Sequence, residues 1–246
     1  MSSPGQPPAS EPPRRRRLVR LGAVLLVAAV AVGVAIAVSS GGDPRSSAPQ
    51  GSRGTAGPPG APATALLAGI PEAGPNLGRP AAPVRVLEFA DLQCPFCADA
   101  ARSQVPALIR RHVRPGRVRM EFETLAFIGP DSEKAARFVE AAGLQDRLWN
   151  AVELLYAEQG RENSGWVTDE LLRRVGTAIP GLDVRRALRD MDSPAVVARL
   201  RAADALARRH RVQSTPTFLV GRRGGALRTV DVNGLPAAVD AALARR

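Results

Sequence analysis

The fold of this chain is decided by residues 84–97, which read VRVLEFADLQCPFC. The first six are mostly apolar and β-prone, a pattern that indicates a buried strand. Because successive side chains alternate across a strand, Leu87 and Phe89 share one face while Val86 and Glu88 share the other. We therefore expect an α/β domain in which this strand delivers the chain to the motif that follows it.

That motif is a pair of cysteines, Cys94 and Cys97, the only two among 246 residues. A scaffold stapled by disulfides would have four or more widely spaced cysteines, so this pair is free for chemistry. Pro95 suits the first helical position, which places unsatisfied backbone N–H groups and the positive helix terminus beside the Cys94 sulfur. We predict a lowered pKa and a nucleophilic role for Cys94, with the deeper Cys97 resolving mixed disulfides.

Two other interpretations of the pair remain open at this point. One is half of a zinc site, but no second cysteine pair exists, and the only histidines, His112 and His210, lie in predicted helices far apart in sequence. The other is an inert, buried structural disulfide. We favour a redox pair with no metal and no cofactor beyond the disulfide itself.

Glu88 is the only acidic residue of the predicted strand, six positions before Cys94. A buried carboxylate is costly unless it is paired or protonated, so we expect its pKa to be raised. Beneath the active-site helix it would accept a proton from Cys97 through water during exchange. The alternatives are a solvated glutamate at a strand end and an ion-pair partner of an arginine.

The remaining periodicity surrounds this motif with further elements. Residues 95–113 have helical spacing, residues 117–124 alternate like a strand, and residues 131–211 read as an all-helical block with N-caps at Thr168, Asp183 and Ser193. Two strands at 217–220 and 228–232 and a helix at 235–245, with Pro236 in its first turn, follow. Residues 65–67 are predicted to form a short edge strand.

The N-terminal part has a different composition. Residues 1–17 form a tail that ends in Arg14–Arg17, residues 18–38 are almost wholly apolar, and residues 39–63 are Ser, Gly, Pro or Ala at 20 of 25 positions. A 21-residue helix would be about 31 Å long, enough to span a bilayer with its basic end in the cytoplasm. A cleaved signal peptide is the alternative. We expect an anchor, a flexible linker and an exported domain at 64–246.

The net charge of +11 does not indicate nucleic-acid binding. Lys134 is the only lysine, and from position 64 onward 27 basic residues face 21 acidic ones without basic runs interleaved with aromatics. The charge is spread along the chain, and a solvated, arginine-rich surface is the expectation.

Thr215-Pro216-Thr217 opens the first late strand. Proline cannot serve inside a central strand. A cis Thr215–Pro216 bond would turn the chain and free the backbone of Thr215 to pair with an extended substrate. Physical reasoning alone leaves the isomer open.

Taken together, residues 86–97 and Thr215-Pro216-Thr217-Phe218 resemble the DsbA-like branch of the thioredoxin superfamily. The resemblance covers residues 64–246 and implies a thioredoxin fold with a helical insertion at about 128–211. It implies that Cys94 is the nucleophile and Pro216 a cis proline facing the pair, and Glu88 matches the buried acidic position.

The sequence departs from the family pattern in three ways. Phe96 replaces a histidine and so removes one source of positive charge near the nucleophile. Ser214 replaces the usual glycine before Thr-Pro, and no extra cysteine pair exists.

The resemblance implies a thiol–disulfide oxidoreductase of the cell membrane, with a cytoplasmic N-terminus and an extracytoplasmic catalytic domain. We expect it to donate its disulfide to exported protein thiols, with Pro95, Phe96 and Thr215 contacting the substrate. A membrane quinone-linked oxidase resembling DsbB or the vitamin K epoxide reductase family would re-oxidise it. A reductase or isomerase, and a non-catalytic binding module, are the alternatives.

Overall fold

A computed structural model describes residues 65–245. The predicted tail (1–17), anchor (18–38) and linker (39–63) lie outside the described residues. Between residues 65 and 245 no helix combines the length and apolar character needed to cross a membrane.

The described residues contain one mixed sheet with the strand order β1-β2-β4-β3-β5-β6. The strands are β1 Glu72–Ala73, β2 Asn76–Leu77, β3 Val84–Asp91, β4 Val118–Leu125, β5 Thr217–Arg222 and β6 Arg228–Val230. Strand β3 pairs parallel with β4 and antiparallel with β5, which makes it a central strand. The predicted strand at 84–89 is confirmed, and it continues to Asp91, three residues before Cys94.

The helices alternate with these strands in the predicted order. They are α1 Pro95–Arg102, α2 Gln104–Leu108, a π-helix Ile109–Val113, α3 Pro130–Gly143, α4 Leu148–Ala157, α5 Asp169–Thr177, α6 Val184–Asp190, α7 Pro194–His210 and α8 Leu235–Ala244. Helices α3–α7 form the predicted insertion between β4 and β5. The three N-caps are confirmed, because Thr168, Asp183 and Ser193 each accept a hydrogen bond from the backbone N–H three residues on.

Two sequence predictions differ from the structure. The helix at 95–113 is broken at Ser103 because Pro106 has no N–H to donate to the carbonyl of Arg102. Residues 65–67 form a helical turn, so the predicted edge strand is wrong. The carbonyls of Leu66 and Ala68 accept hydrogen bonds from an arginine side chain rather than from a neighbouring strand.

Strand β3 is buried on both faces, and each face meets a different layer. Val86 and Ala90 belong to the larger apolar cluster, which also contains Cys97. Leu87 and Phe89 belong to a second cluster, which α7 covers. The predicted division of the strand into two faces is confirmed, and the face of Val86 is the one that continues beneath the cysteine pair.

Candidate active site

Cys94 is the N-cap of α1, directly after β3, and Pro95 occupies the first helical turn as predicted. The side chain of Cys94 hydrogen-bonds the thiol of Cys97, and this bond is the main reason that the pKa of Cys94 is lowered to about 6. Burial opposes the shift, while the Thr215 side chain and the backbone of Cys97 and Phe96 support it. The lowered pKa that the sequence predicts for Cys94 is therefore found in the structure.

Cys97 lies one turn into α1 and is fully buried. Burial raises the pKa of its thiol, and the charge and hydrogen bond of Cys94 raise it further. Cys94 is only 5% exposed, yet it is the sulfur that ionises at neutral pH. The two sulfurs therefore differ strongly. Cys94 is stabilised as a thiolate, whereas Cys97 stays a thiol and needs a neighbouring proton donor or acceptor when it reacts.

The loop before β5 closes over Cys94. The Thr215–Pro216 bond is cis, and the thiol of Cys94 donates to the backbone carbonyl of Thr215 with an Sγ–O distance of 3.3 Å. The structure thus brings Cys94 and Cys97 together with Thr215 and Pro216, although Cys94 and Thr215 are 121 positions apart in sequence.

Glu88 lies on β3 with 1% of its surface exposed. Burial, followed by the charge of Glu153, raises its pKa to about 8. Its Oε2 atom has no hydrogen-bond partner, and Glu88 forms no ion pair within the described residues. The raised pKa is therefore found, and the solvated and ion-paired alternatives are wrong.

Two residues of α4 complete this acidic region, and sequence analysis missed both. Tyr156 is fully buried, and its hydroxyl donates to the carbonyl of Asp91 at 3.3 Å. Burial, followed by the charges of Cys97 and Glu88, raises its pKa, which places the phenol among these groups. Glu153, three residues earlier on α4, has its pKa raised to about 7 by burial. A carboxylate inside the apolar run LWNAVELLYA was the available signal.

Asp91 ends β3 and was also missed. Its fully buried carboxylate accepts from the backbone N–H of Gln93 at 2.9 Å and from the Ser132 hydroxyl at 2.6 Å. Its other oxygen accepts from the backbone N–H groups of Phe127 at 3.0 Å and Ile128 at 3.2 Å. The carboxylate therefore ties the residues before Cys94 to the start of the helical insertion.

The loop after α4 holds the same segment from the other side. The Gln159 amide donates to the carbonyls of Leu92 at 2.8 Å and Cys94 at 3.2 Å. The side chain of Gln93 accepts from the backbone N–H of Asn163 at 2.6 Å. The insertion, remote in sequence, thus positions the nucleophile.

Apolar side chains are exposed on the segments that adjoin the cysteine pair. Phe96, predicted to contact substrate, is 70% exposed, and Pro95 is exposed beside it. Phe127, which sequence analysis missed, is 61% exposed, and its backbone is held by Asp91. An aromatic residue two positions after β4 was the only signal. Among residues 65–245 no group of three or more potential metal ligands is found.

Comparison with known proteins identifies the family. Residues 72–240 match the family described as Thioredoxin. The chain is 32% identical over 168 residues to the probable disulfide bond formation protein D of Bacillus anthracis, covering 67% of this chain and 76% of that protein. Disulfide bond formation protein D of Bacillus subtilis is 27% identical over 148 residues, which are 59% of this chain and 67% of that protein.

Solved structures share the fold. Oxidised BdbD from Bacillus subtilis superposes with a TM-score of 0.61 at 24% identity, covering 69% of this chain and 92% of that chain. A thioredoxin-like oxidoreductase from Silicibacter pomeroyi superposes with a TM-score of 0.53 at 30% identity, covering 72% and 94% respectively. The chain therefore belongs to the thioredoxin family, and it is a DsbA-like protein thiol–disulfide oxidoreductase.

Proposed function

We propose that this protein donates the Cys94–Cys97 disulfide to reduced thiols of exported proteins outside the cytoplasm. The observation that carries the proposal is the difference between the two sulfurs: Cys94 has a pKa of about 6, whereas the pKa of buried Cys97 is raised. A stabilised thiolate favours the reduced form of the enzyme and makes Cys94 a good leaving group, both of which drive a disulfide towards the substrate. The names of the Bacillus relatives support the same direction.

The first step forms a mixed disulfide. A substrate thiolate attacks the Cys94 sulfur, an S–S bond forms between them, the Cys94–Cys97 bond breaks, and Cys97 leaves with the electron pair. Because the pKa of Cys97 is raised, this sulfur must take up a proton as it leaves. Glu88 is protonated at neutral pH and supplies this proton to Cys97 through water. The buried phenol of Tyr156 lies in the same region.

The second step releases the product. A second substrate thiolate attacks the substrate sulfur of the mixed disulfide, and Cys94 leaves as a thiolate. The substrate is oxidised by two electrons, and the enzyme holds the Cys94 thiolate and the Cys97 thiol. A membrane quinone-linked oxidase, similar to DsbB or vitamin K epoxide reductases, accepts these electrons and restores the disulfide.

The exposed surface beside Cys94 suits an extended substrate segment with apolar side chains. The rings of Phe96 and Phe127 supply apolar area, Pro95 adds to it, and the backbone of Thr215 pairs with the substrate. Export and anchoring rest on the 21-residue apolar stretch at 18–38 and the four arginines before it, which orient the N-terminus to the cytoplasm. Residues 39–63 link this anchor to the domain.

The redox potential tests the direction of transfer. Equilibration of the full chain with glutathione is expected to give a value near the roughly −120 mV of strong oxidants, whereas a value near the roughly −270 mV of thioredoxin would assign a reductase instead. Cys97→Ala is expected to accumulate mixed disulfides with exported proteins through Cys94, and Cys94→Ala to accumulate none.

Alkylation measures the difference in thiol pKa between Cys94 and Cys97. In the reduced protein, the Cys94 alkylation rate is expected to rise with pH around a midpoint near 6, because only the thiolate reacts. Cys97 is expected to stay unmodified while the protein is folded. A midpoint near the ordinary thiol value would remove the basis of the proposal.

A further inference from the structure

The pole of the domain opposite Cys94 gathers four chain segments that are distant in sequence. Val84, at the start of β3, pairs with Val118 at the start of β4 and with Arg222 at the end of β5. The carbonyl of Pro83 accepts from the backbone N–H of Arg223 at 2.9 Å. The end of α8 joins them, because the Arg222 side chain donates to the carbonyl of Ala242 at 3.4 Å.

These segments carry arginines and no acidic residue. Residues 78–84, 109–119, 220–230 and 241–245 contain no aspartate or glutamate. We define the basic pole as eight of their arginines: Arg79, Arg110, Arg111, Arg114, Arg117, Arg222, Arg223 and Arg245. All except the half-buried Arg222 are exposed, and none forms an ion pair within the described part of the chain. Asp240, the acidic neighbour of this pole, faces His112 at 3.6 Å.

The charge of the folded domain is therefore concentrated rather than spread. Outside the basic pole, the residues from position 64 onward include 19 basic and 21 acidic side chains. These arginines are spread along the sequence, and the fold brings them together because the start of β3, the start of β4 and the end of β5 meet at this pole.

Local contacts keep these arginines in place. The Arg117 side chain donates to the carbonyl of Arg111 at 2.7 Å, and the side chain of Arg79 lies against Gly116 so closely that a Cβ there would meet its Cδ at 2.6 Å. The guanidinium groups are thus presented on folded segments rather than on a tail.

The described chain also begins at this pole. Arg114 donates to the carbonyls of Leu66 at 2.7 Å and Ala68 at 2.9 Å, so residues 65–68 are held beside the basic pole. Only 26 residues separate this point from the apolar stretch at 18–38. Any anchor upstream therefore connects to the domain at its most positive end.

We propose that the basic pole docks onto anionic phospholipid headgroups of the membrane; this inference rests on the proposed anchoring by residues 18–38. Arginine near an anionic bilayer surface strengthens binding by about 5-fold per residue. Docking by this pole directs Cys94 away from the bilayer, because the eight residues of β3 span about 26 Å between the two ends of the domain. The nucleophile then faces exported proteins rather than lipid.

The test uses the full chain in nanodiscs of phosphatidylcholine alone or mixed with phosphatidylglycerol, with a protease site inserted in residues 39–63. After cleavage at low salt, the domain is expected to stay on the phosphatidylglycerol discs and to leave the phosphatidylcholine discs. The triple variant R110Q/R111Q/R223Q removes three arginines whose side chains make no hydrogen bond within residues 65–245. It is expected to bind about 100-fold more weakly.

The matched control is R189Q/R201Q/R208Q, which makes the same charge change on α6 and α7 and is expected to bind like the unmodified protein. Equal retention on both kinds of disc, release from both, or wild-type retention of the triple variant would each overturn the docking inference. If duplex DNA at the same phosphate concentration releases the domain from the phosphatidylglycerol discs, the basic pole would be assigned to nucleic-acid binding instead. Failure of the uncleaved chain to enter phosphatidylcholine discs would count against the anchor alone.

Discussion

Two pairs of glutamates are buried in this domain, and they differ in what surrounds them. Glu88 and Glu153 lie on the side of the cysteine pair, and burial raises their pKa values to about 8 and about 7. Neither forms an ion pair within the described residues. Because no cation compensates them, these two carboxyl groups become neutral only by binding a proton.

Glu123, on β4, and Glu140, on α3, both lie beside α7. Arg199 approaches both, with N–O distances of 3.7 Å to Glu123 and 3.5 Å to Glu140, and Thr124 donates to Glu140 at 2.7 Å. Burial raises the pKa of Glu123 to about 7 even so, and Arg199 opposes the shift. This comparison shows that burial alone does not identify a carboxyl group that takes part in the reaction. We infer that the pair without a cation serves the dithiol and that the pair with one holds α7 to β4 and α3.

Glu88→Gln provides the largest expected effect. Because the glutamine cannot supply a proton to Cys97, transfer of the disulfide to a reduced peptide at pH 7 is expected to slow by about 100-fold. In the unmodified protein the rate, corrected for substrate thiolate, should fall as pH rises through about 8, where Glu88 loses its proton. Stopped-flow kinetics checks both expectations.

Glu123→Gln is the matched control for that measurement. It removes a buried carboxyl of similar pKa from β4, the neighbouring strand, and is expected to leave both the rate and its pH profile unchanged. A fall in the rate through pH 8 that persists in Glu88→Gln would show that Glu88 is not the proton donor.

Arg199→Gln is expected to lower the free energy of unfolding by about 2 kcal/mol at pH 7, because it leaves two buried carboxyl groups without their cation. Arg199 is about one-third exposed, which keeps the loss below that of a fully buried pair. Urea unfolding measures it. The loss should shrink as pH falls below about 7, where Glu123 takes up a proton. Arg201→Gln, an exposed position on the same helix, is the control, and an equal loss there would reject the assigned role.

Thr124→Val tests the smallest contribution. It removes the hydroxyl that donates to Glu140 while keeping the shape of the side chain, and is expected to cost about 1 kcal/mol in the same urea experiment. The redox potential should not change, since the hydroxyl of Thr124 bonds Glu140 and makes no hydrogen bond to the residues around the cysteine pair. A shifted potential would mean that the two acidic regions are coupled through the sheet.

Several of the site residues were predictable because their signals are local in sequence. Cys94, Cys97 and Pro95 are neighbours, and Glu88 was recognisable as a carboxylate on an apolar strand. Asp91 was not recognised, although it lies in the same stretch, because its four donors come from residues 2 to 41 positions away. The helical block was predicted as a unit, but the support that Gln159 gives to Cys94 was not.

The sequence by itself determined the alternation of strands and helices, the dithiol at a helix start and the caps of the insertion, because each depends on residues within about one turn or one strand of one another. Only the tertiary structure decided which glutamates are paired, which side chains hold the nucleophile, and where the arginines gather. Those outcomes depend on burial and on distances between segments up to 121 residues apart, and no local pattern encodes them.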